Sequence, residues 1–452
     1  MSRALLLGLD VGTTAVKAAV FDESGAEVAD GRAVTPWRTV PTGAELDPNE
    51  LLDAVLEATA TALAGAPDGA LAGIGVASMA ETGVLIDPRG RPVVPSIAWH
   101  DARGAAEARE LGAALGEDTF ARRTGLTVSP LCSLVKLRWM RAHWPAAARG
   151  VRWLNVAEWI VRALGGDERA EASLSSRTGF YELETRRPWA EALEWAQAPA
   201  GLVGAHAAAG TPLGRAGASA PRRARGAVLA VGGHDHLAAA VGADAAGDGD
   251  VLDSCGTAEA WVRACAPLPA ELVARAVADG ISVGWHAVAG RHALLGSIRA
   301  GAVLRGVLDL LGVAPEEREA LEAAALAVDP AIAGIEVSGL RDAGQIVTGV
   351  RAGVSPGVLY RATLEAVGRA GAEVLARMDA VAGPRRRLVV TGGWAAGAAA
   401  RAVKAAHLGG FEHAEGISAG ARGAALAAGR AAGMWEPGET PAPRDVAPSA
   451  AG

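Results

Sequence analysis

The tripeptide His234-Asp235-His236 stands where the apolar run Val228 to Val231 has stopped at Gly232-Gly233 and an alanine-rich stretch begins. The sequence therefore puts a carboxylate between a strand and a helix. The helix dipole stabilises an anion there, and the two glycines leave open space in front of it. A carboxylate so placed can accept the proton of a hydroxyl group, or it can do no more than cap the helix. His-x-His is a spacing found in metal sites, yet the other histidines supply neither a second ligand pair nor a His-Glu-x-x-His frame, so a metallohydrolase has little support.

A second polar cluster lies near the start of the chain, where Asp10, Gly12, Thr13 and Thr14 separate the apolar run Leu5 to Leu7 from Val16 to Phe21, with Lys17 just beyond. This reads as a hairpin. In its turn Gly12 lets a ligand approach the backbone, Thr13 and Thr14 offer hydroxyls, and peptide N–H groups can point at an anion. A phosphate fits such a turn. Asp10 can hold a Mg²⁺ ion or its water shell against that phosphate, and Lys17 adds positive charge; the same tip is also what a ligand-free polar hairpin looks like. Residues 249–264, GDVLDSCGTAEAWVRA, repeat the idea as strand, turn and strand, with Gly256-Thr257 echoing Gly12-Thr13. Two such turns suggest a duplicated fold whose halves face each other across a cleft and share one polyphosphate. Residues 386–409 read as a strand, a Gly392-Gly393 turn and a helix of small residues, against which a flat ring or a sugar can lie. No Gly-x-x-x-x-Gly-Lys-Ser/Thr is present, which excludes a P-loop. Gly12 does not begin a Gly-x-Gly-x-x-Gly and the run after it continues as a strand, which argues against a dinucleotide-binding unit.

The elements that must position these groups belong to a globular chain of 452 residues, long enough for two or three domains. Three strands open it without an intervening helix, the second turn at Asp22-Glu23-Ser24-Gly25 leading into Glu27 to Val34. Hydrophobic residues make up 50% of the chain, much of it alanine, and no apolar run approaches the roughly 20 residues of a spanning helix. The expectation is no membrane partner. The first residues enter a strand with no long apolar leader, which points to the cytoplasm. Cys132, Cys255 and Cys265 form no Cys-x-x-Cys pair, as expected of packing residues in a reducing compartment. A net charge of −7 and scattered arginines give no basic stripe for nucleic acid.

Taken together these residues resemble the FGGY family of carbohydrate kinases, a branch of the actin-like ATPases, over nearly the whole chain. The first hairpin is similar to that family's first phosphate motif, Gly256-Thr257 to its second, and Thr391-Gly392-Gly393 with the following helix to its adenosine motif. SLVKLRWMRAH, residues 133–143, and GVRAGVSPGVLYRATLEAV, residues 349–367, resemble the family's two signature stretches, with Leu131, Ala142 and Val358 departing from the usual types. The resemblance implies an α/β fold of two actin-like (ribonuclease H-like) domains, each a mixed sheet flanked by helices, with a cleft between. Residues 1–224 would form the sugar-binding half, 225–435 the nucleotide half, and 436–452 a loose tail. It further implies ATP and Mg²⁺ as cofactors and a small sugar or polyol as partner, with a homodimer left open. Asp235 would be the general base, Asp10 the residue facing the metal. Gly12, Thr13, Thr14, Lys17, Gly256, Thr257, Gly301, Gly392 and Gly393 would meet the nucleotide. The rival reading is a sugar-sensing or regulatory ATP-binding protein of the same fold without efficient transfer.

The acceptor is addressed by GVASMAETGVLIDPRGRPVVPSIAWHDAR, residues 75–103, which is similar to the family segment that touches the sugar. By that similarity Glu81, Trp99, Asp101 and His236 face the substrate. Ala80 stands where the family's glycerol kinases have an arginine, and Leu131 where they have an aromatic hydroxyl. Glycerol is thus a poor fit, and a ketose or sugar alcohol of about four to six carbons fits better.

Overall fold

Leu5, Leu7, Leu9 and Val11 bury themselves in one cluster, while Leu6, between them, joins another with Ala19 and Phe21. That two-residue period lets the first strand serve both faces of a sheet. In the protein, a computed structural model describes residues 4–256, 258–329, 335–340, 346–414, 416–435 and 446–448. The first sheet has five strands: β1 (Ala4–Val11), β2 (Ala15–Phe21), β3 (Glu27–Val34), β4 (Ala70–Ser78) and β5 (Val228–His234). Their order is β5-β4-β1-β2-β3, with β5, β4 and β1 parallel and the β1-β2-β3 meander antiparallel. The three opening strands thus form as their turn chemistry predicts.

The second sheet repeats this plan. Its strands are β6 (Asp250–Cys255), β7 (Glu259–Cys265), β8 (Ser282–Trp285), β9 (His292–Ile298), β10 (Arg387–Thr391), β11 (Glu412–Ala414) and β12 (Val446–Pro448). They run in the order β8-β9-β7-β6-β10-β11-β12. The β6-β7 hairpin stands in place of β1-β2, antiparallel to β9 on one side and parallel to β10 on the other. Two α/β halves built on one plan make this the two-domain actin-like fold. Of residues 436–452, expected to be loose, only 446–448 are described, and they pair antiparallel with β11; the others lie outside the described residues.

Helices cover the sheets. Asp47 caps α1 (Pro48–Gly65) by accepting the Asn49 N–H, and the helix lies along β2 and β3. The opposite face of the first sheet takes α7 (Ala419–Ala431), the last described helix. Between them in chain order come α2 (Ser133–His143), α3 (Asp235–Gly242), α4 (Ala300–Leu311), α5 (Pro356–Ala382) and α6 (Ala398–Leu408). The seat of α7 is made by missing side chains. A Cβ on Gly8 would lie 1.8 Å from the Ala421 carbonyl oxygen, and one on Gly75 1.8 Å from that of Ala424. On its other flank, a Cβ on Gly423 would lie 1.8 Å from the Ala238 oxygen of α3. Backbone therefore rests on backbone. Arg422 fastens the same helix, donating from Nε to the Gly25 carbonyl at 3.1 Å across 397 residues of sequence.

The crossing between halves was expected at 224/225, but β5 beyond it pairs with β4, and α7 packs on the first sheet as well. A parallel strand can join a sheet after a long crossover, so the run from Val228 completes the first sheet before the chain enters the second. No helix among the described residues is long and apolar enough to cross a membrane.

Candidate active site

Three parallel strands end level with one another: Val11 of β1 sits beside Ser78 of β4, and Ser78 beside His234 of β5. The chain leaves all three at their carboxyl ends on the same side, where parallel sheets place ligands. The segment after β1 delivers Gly12-Thr13, that after β4 Met79 to Glu81, and that after β5 Asp235-His236. They meet at a cavity of about 310 Å³ that includes Thr13, Ala80, Glu81, Trp99, Leu131, Arg177, His234, Asp235, His236, Ser282 and Ser297 in its lining. Ala258 and Ala260 bring the edge of the β6-β7 hairpin to the same cavity. Both halves therefore line it.

The first turn is held from outside. Gly12 N–H donates to the Ala15 carbonyl at 3.1 Å, Thr35 Oγ1 to that of Gly12 at 2.7 Å, and Trp37 Nε1 to that of Thr13 at 2.7 Å. Trp99 Nε1 donates to Thr13 Oγ1 at 2.7 Å, so the tryptophan on the expected sugar side braces a residue of the expected phosphate side. Thr14 and Lys17 are exposed, Lys17 lying across from Asp10 in the β1-β2 register.

Asp235 opens α3, with His234 preceding it. Its Oδ1 accepts the His236 N–H at 2.7 Å and lies 3.2 Å from His234 Nε2. Burial works to raise its pKa, but His236 and His234 overcome this and hold the carboxyl below its usual range. His236 itself is lowered by burial, against the pull of Asp235. Asp10 goes the other way. Burial and the Asp235 charge push it up to about 6, with Lys17 opposing. Two neighbouring carboxylates thus have their pKa values driven apart, one staying ionised while the other holds its proton longer. The loop is anchored from behind, since His234 N–H donates to Ser173 Oγ at 3.0 Å and that hydroxyl donates to buried Glu171 at 2.6 Å.

Asp101 is not among the residues lining this cavity. Its Oδ2 accepts from the Ala44 N–H and from Arg103 Nη2, each at 2.7 Å, while Oδ1 accepts the Arg103 N–H at 2.9 Å. Both oxygens are spent on structure, and the expected sugar contact is replaced by a buried brace. The residue the sequence did not single out is Arg177. Its Nε donates to Glu81 Oε1 at 2.7 Å and its Nη1 to Ser282 Oγ at 2.7 Å, tying the first half to β8 of the second. Nothing local distinguishes it from the other arginines.

Around the second turn, Gly256 is exposed and Thr257 lies outside the described residues. Gly392 abuts the same place: its φ is +101°, and a Cβ there would lie 2.5 Å from the Cys255 oxygen. Gly393 faces open space, and Gly301 is buried in the first turn of α4, just after β9. Beneath the hairpin, Lys404 of α6 donates from Nζ to Asp253 Oδ2 at 2.7 Å and also bonds Glu259. Asp253, Cys255 and Glu259 are close enough to hold a cation, and the Lys404 ammonium supplies that charge. The three cysteines are buried and free.

The model of the FGGY family of carbohydrate kinases, N-terminal domain, matches residues 5–242. A glycerol kinase of Aromatoleum aromaticum is 31% identical over 95% of this chain and 90% of its own. A xylulose kinase of Streptomyces coelicolor is 34% identical over 39% of this chain and 37% of its own. The crystal structure of xylulose kinase from Rhodospirillum rubrum superposes with a TM-score of 0.83 at 27% identity, covering 94% of this chain and 89% of that one.

Proposed function

We propose, for a chain that belongs to the FGGY family of carbohydrate kinases, that it moves the γ-phosphate of ATP onto a hydroxyl of a ketose or sugar alcohol with Asp235 as general base. The observation that carries this reading is the level ending of β1, β4 and β5, which brings Thr13, Glu81 and Asp235 to one cavity. The acceptor oxygen attacks the γ-phosphorus, its proton passes to the Asp235 carboxylate, and the bond to the bridging oxygen breaks to release ADP. Phosphoryl transfer depends on positioning and charge neutralisation more than on covalent help from the protein. Thr13, the Gly12 turn and the Gly256 turn cradle the phosphates, and Gly393, beside Gly392 packed on the Cys255 backbone, leaves room for the adenosine.

Mg²⁺ fits the site. Asp10 Oδ1 is buried without a hydrogen-bond partner, and the Asp235 charge beside it helps push its pKa up, so a cation there would relieve both. Bound there with ATP, the ion would neutralise phosphate charge. Asp10→Ala is expected to raise the Mg²⁺ concentration for half-maximal rate by about tenfold or more. A Mg²⁺ titration of both proteins checks this, and an unchanged midpoint would remove Asp10 from the metal's surroundings.

For the acceptor, the alanine at 80 and the leucine at 131 both line the cavity and offer no polar contact. Glu81, Arg177, Ser282 and His236 provide acceptors and donors spread over a volume larger than a three-carbon polyol needs. A panel of ketoses, polyols and aldoses read by coupled ADP release is expected to favour an acceptor of four to six carbons, with glycerol lower in kcat/KM by about tenfold or more. Glycerol as the best acceptor would overturn the pocket argument, and ADP release indifferent to any sugar would overturn the kinase reading.

A further inference from the structure

Glu81 has φ +57°, the left-handed region that residues with a β-carbon avoid. Among the described residues three others share that feature, Arg186, Gln197 and Asp244, and none of them lines the cavity. A strained residue in a binding wall persists only where its surroundings over-determine it. In front, Arg177 Nε holds its carboxylate. Behind, Lys136 Nζ donates to the Glu81 carbonyl at 3.2 Å and to the Trp99 carbonyl at 2.9 Å.

Lys136 belongs to α2 and is only 1% exposed. Its helical neighbours Leu134, Val135 and Leu137 are all fully buried, so an apolar side chain would suit the position. A buried ammonium bonded to carbonyls alone is costly. What it gains is two hydrogen bonds strengthened by charge, both made to the main chain of residues that line the cavity. We infer that Lys136 is a positioning residue for sugar recognition, clamping the main chain of Glu81 and Trp99 from behind so that their side chains meet the acceptor. The inference rests on the reading of this cavity as the acceptor site.

The clamp responds to pH. Burial pushes the Lys136 pKa down to about 7; Glu81, Cys132 and Asp101 oppose the shift and Arg103 adds to it. His100, a further titratable neighbour, is itself lowered by burial and by Lys136, and burial pushes the Cys132 thiol up to about 11, so it stays neutral. Below about pH 7 the amine is charged and grips both carbonyls. Above it the charge assistance is lost and the grip loosens.

The test measures acceptor affinity by calorimetry without nucleotide, from about pH 6 to about pH 8.5, with KM and kcat alongside. Wild type is expected to weaken by about threefold as pH rises through that window. Lys136→Met is expected to bind about tenfold more weakly at every pH, without the step, while kcat at saturating sugar changes far less. A Met variant with wild-type affinity and the same step overturns the clamp, as does a kcat loss matching the KM change. Should that variant fail to fold, the wild-type profile decides, a flat one overturning the inference. A crystal structure of Lys136→Met needs no substrate: Glu81 relaxing to negative φ supports the clamp, and Glu81 unmoved against Arg177 overturns it. If no sugar in the panel binds wild type, the acceptor reading fails while the fate of Glu81 still tests the clamp.

Discussion

Asp235→Asn is expected to cost about two to four powers of ten in the rate of phosphoryl transfer and to leave nucleotide binding nearly intact. The amide has the size of the carboxylate and keeps an oxygen for the His236 N–H, which now approaches Oδ1 at 2.7 Å. What it loses is the capacity to take a proton. In the native site that capacity is kept ready by His234 and His236, which hold the carboxyl ionised in spite of its burial. Single-turnover transfer with the best acceptor, set beside calorimetric ATP binding, separates the two effects. A variant retaining most of its transfer rate would end the assignment of the base. The substitution also removes the charge that helps raise Asp10, so the Asp10 pKa should fall towards an ordinary carboxylate value in the same protein, a shift that carbon-13 NMR of labelled aspartates can follow.

The second large effect is expected in the scaffold. Gly75→Val would drive a Cβ to 1.8 Å from the Ala424 oxygen and 2.5 Å from its carbonyl carbon, both main-chain atoms that cannot swing aside as a side chain would. Overpacking typically costs about 1–3 kcal/mol, and here the helix itself has to lift, so a loss at or above the top of that range is expected in denaturant unfolding. Gly410→Ala is the control, because a Cβ there meets nothing within 4 Å. Equal midpoints for the two variants would mean that α7 is not seated on the sheet as described. Lifting α7 would also reach the site, since a Cβ on Gly420 would lie 2.5 Å from Asp10 Oδ2.

The contrast between these sites explains what could be seen in the sequence. Strand period and turn residues act over a few positions, and from them the opening meander, the β6-β7 hairpin and the carboxylate between β5 and α3 were all legible. Family resemblance added Glu81, Trp99 and His236, each of which does line the cavity. Asp101 came with the same segment and turned inward, because the arginine two residues on and the Ala44 amide use both its oxygens. Sequence could not weigh that pairing against a sugar. Arg177 and Lys136 were hidden for a related reason: their partners lie 96, 55 and 37 residues away, and only the fold brings them together. The placement of β5 in the first sheet depends on pairing with β4 across roughly a third of the chain, which no local pattern encodes.

The seat of α7 also bears on how the protein is made. Synthesis delivers β1 to β4 well before Ala419–Ala431, yet the face of the first sheet formed by Leu6, Ala19 and Phe21 is sealed by that helix. On the ribosome the sheet therefore carries an uncovered apolar face until residues 419–431 have emerged. At elongation rates of about 5–20 residues per second the wait for the roughly 340 residues between Ser78 and Ala419 lasts about 17–68 s. The packing of the first sheet is thus completed only when that helix arrives. A polypeptide released before residue 419 leaves this face bare, the kind of exposed apolar surface that makes an incomplete chain prone to aggregation.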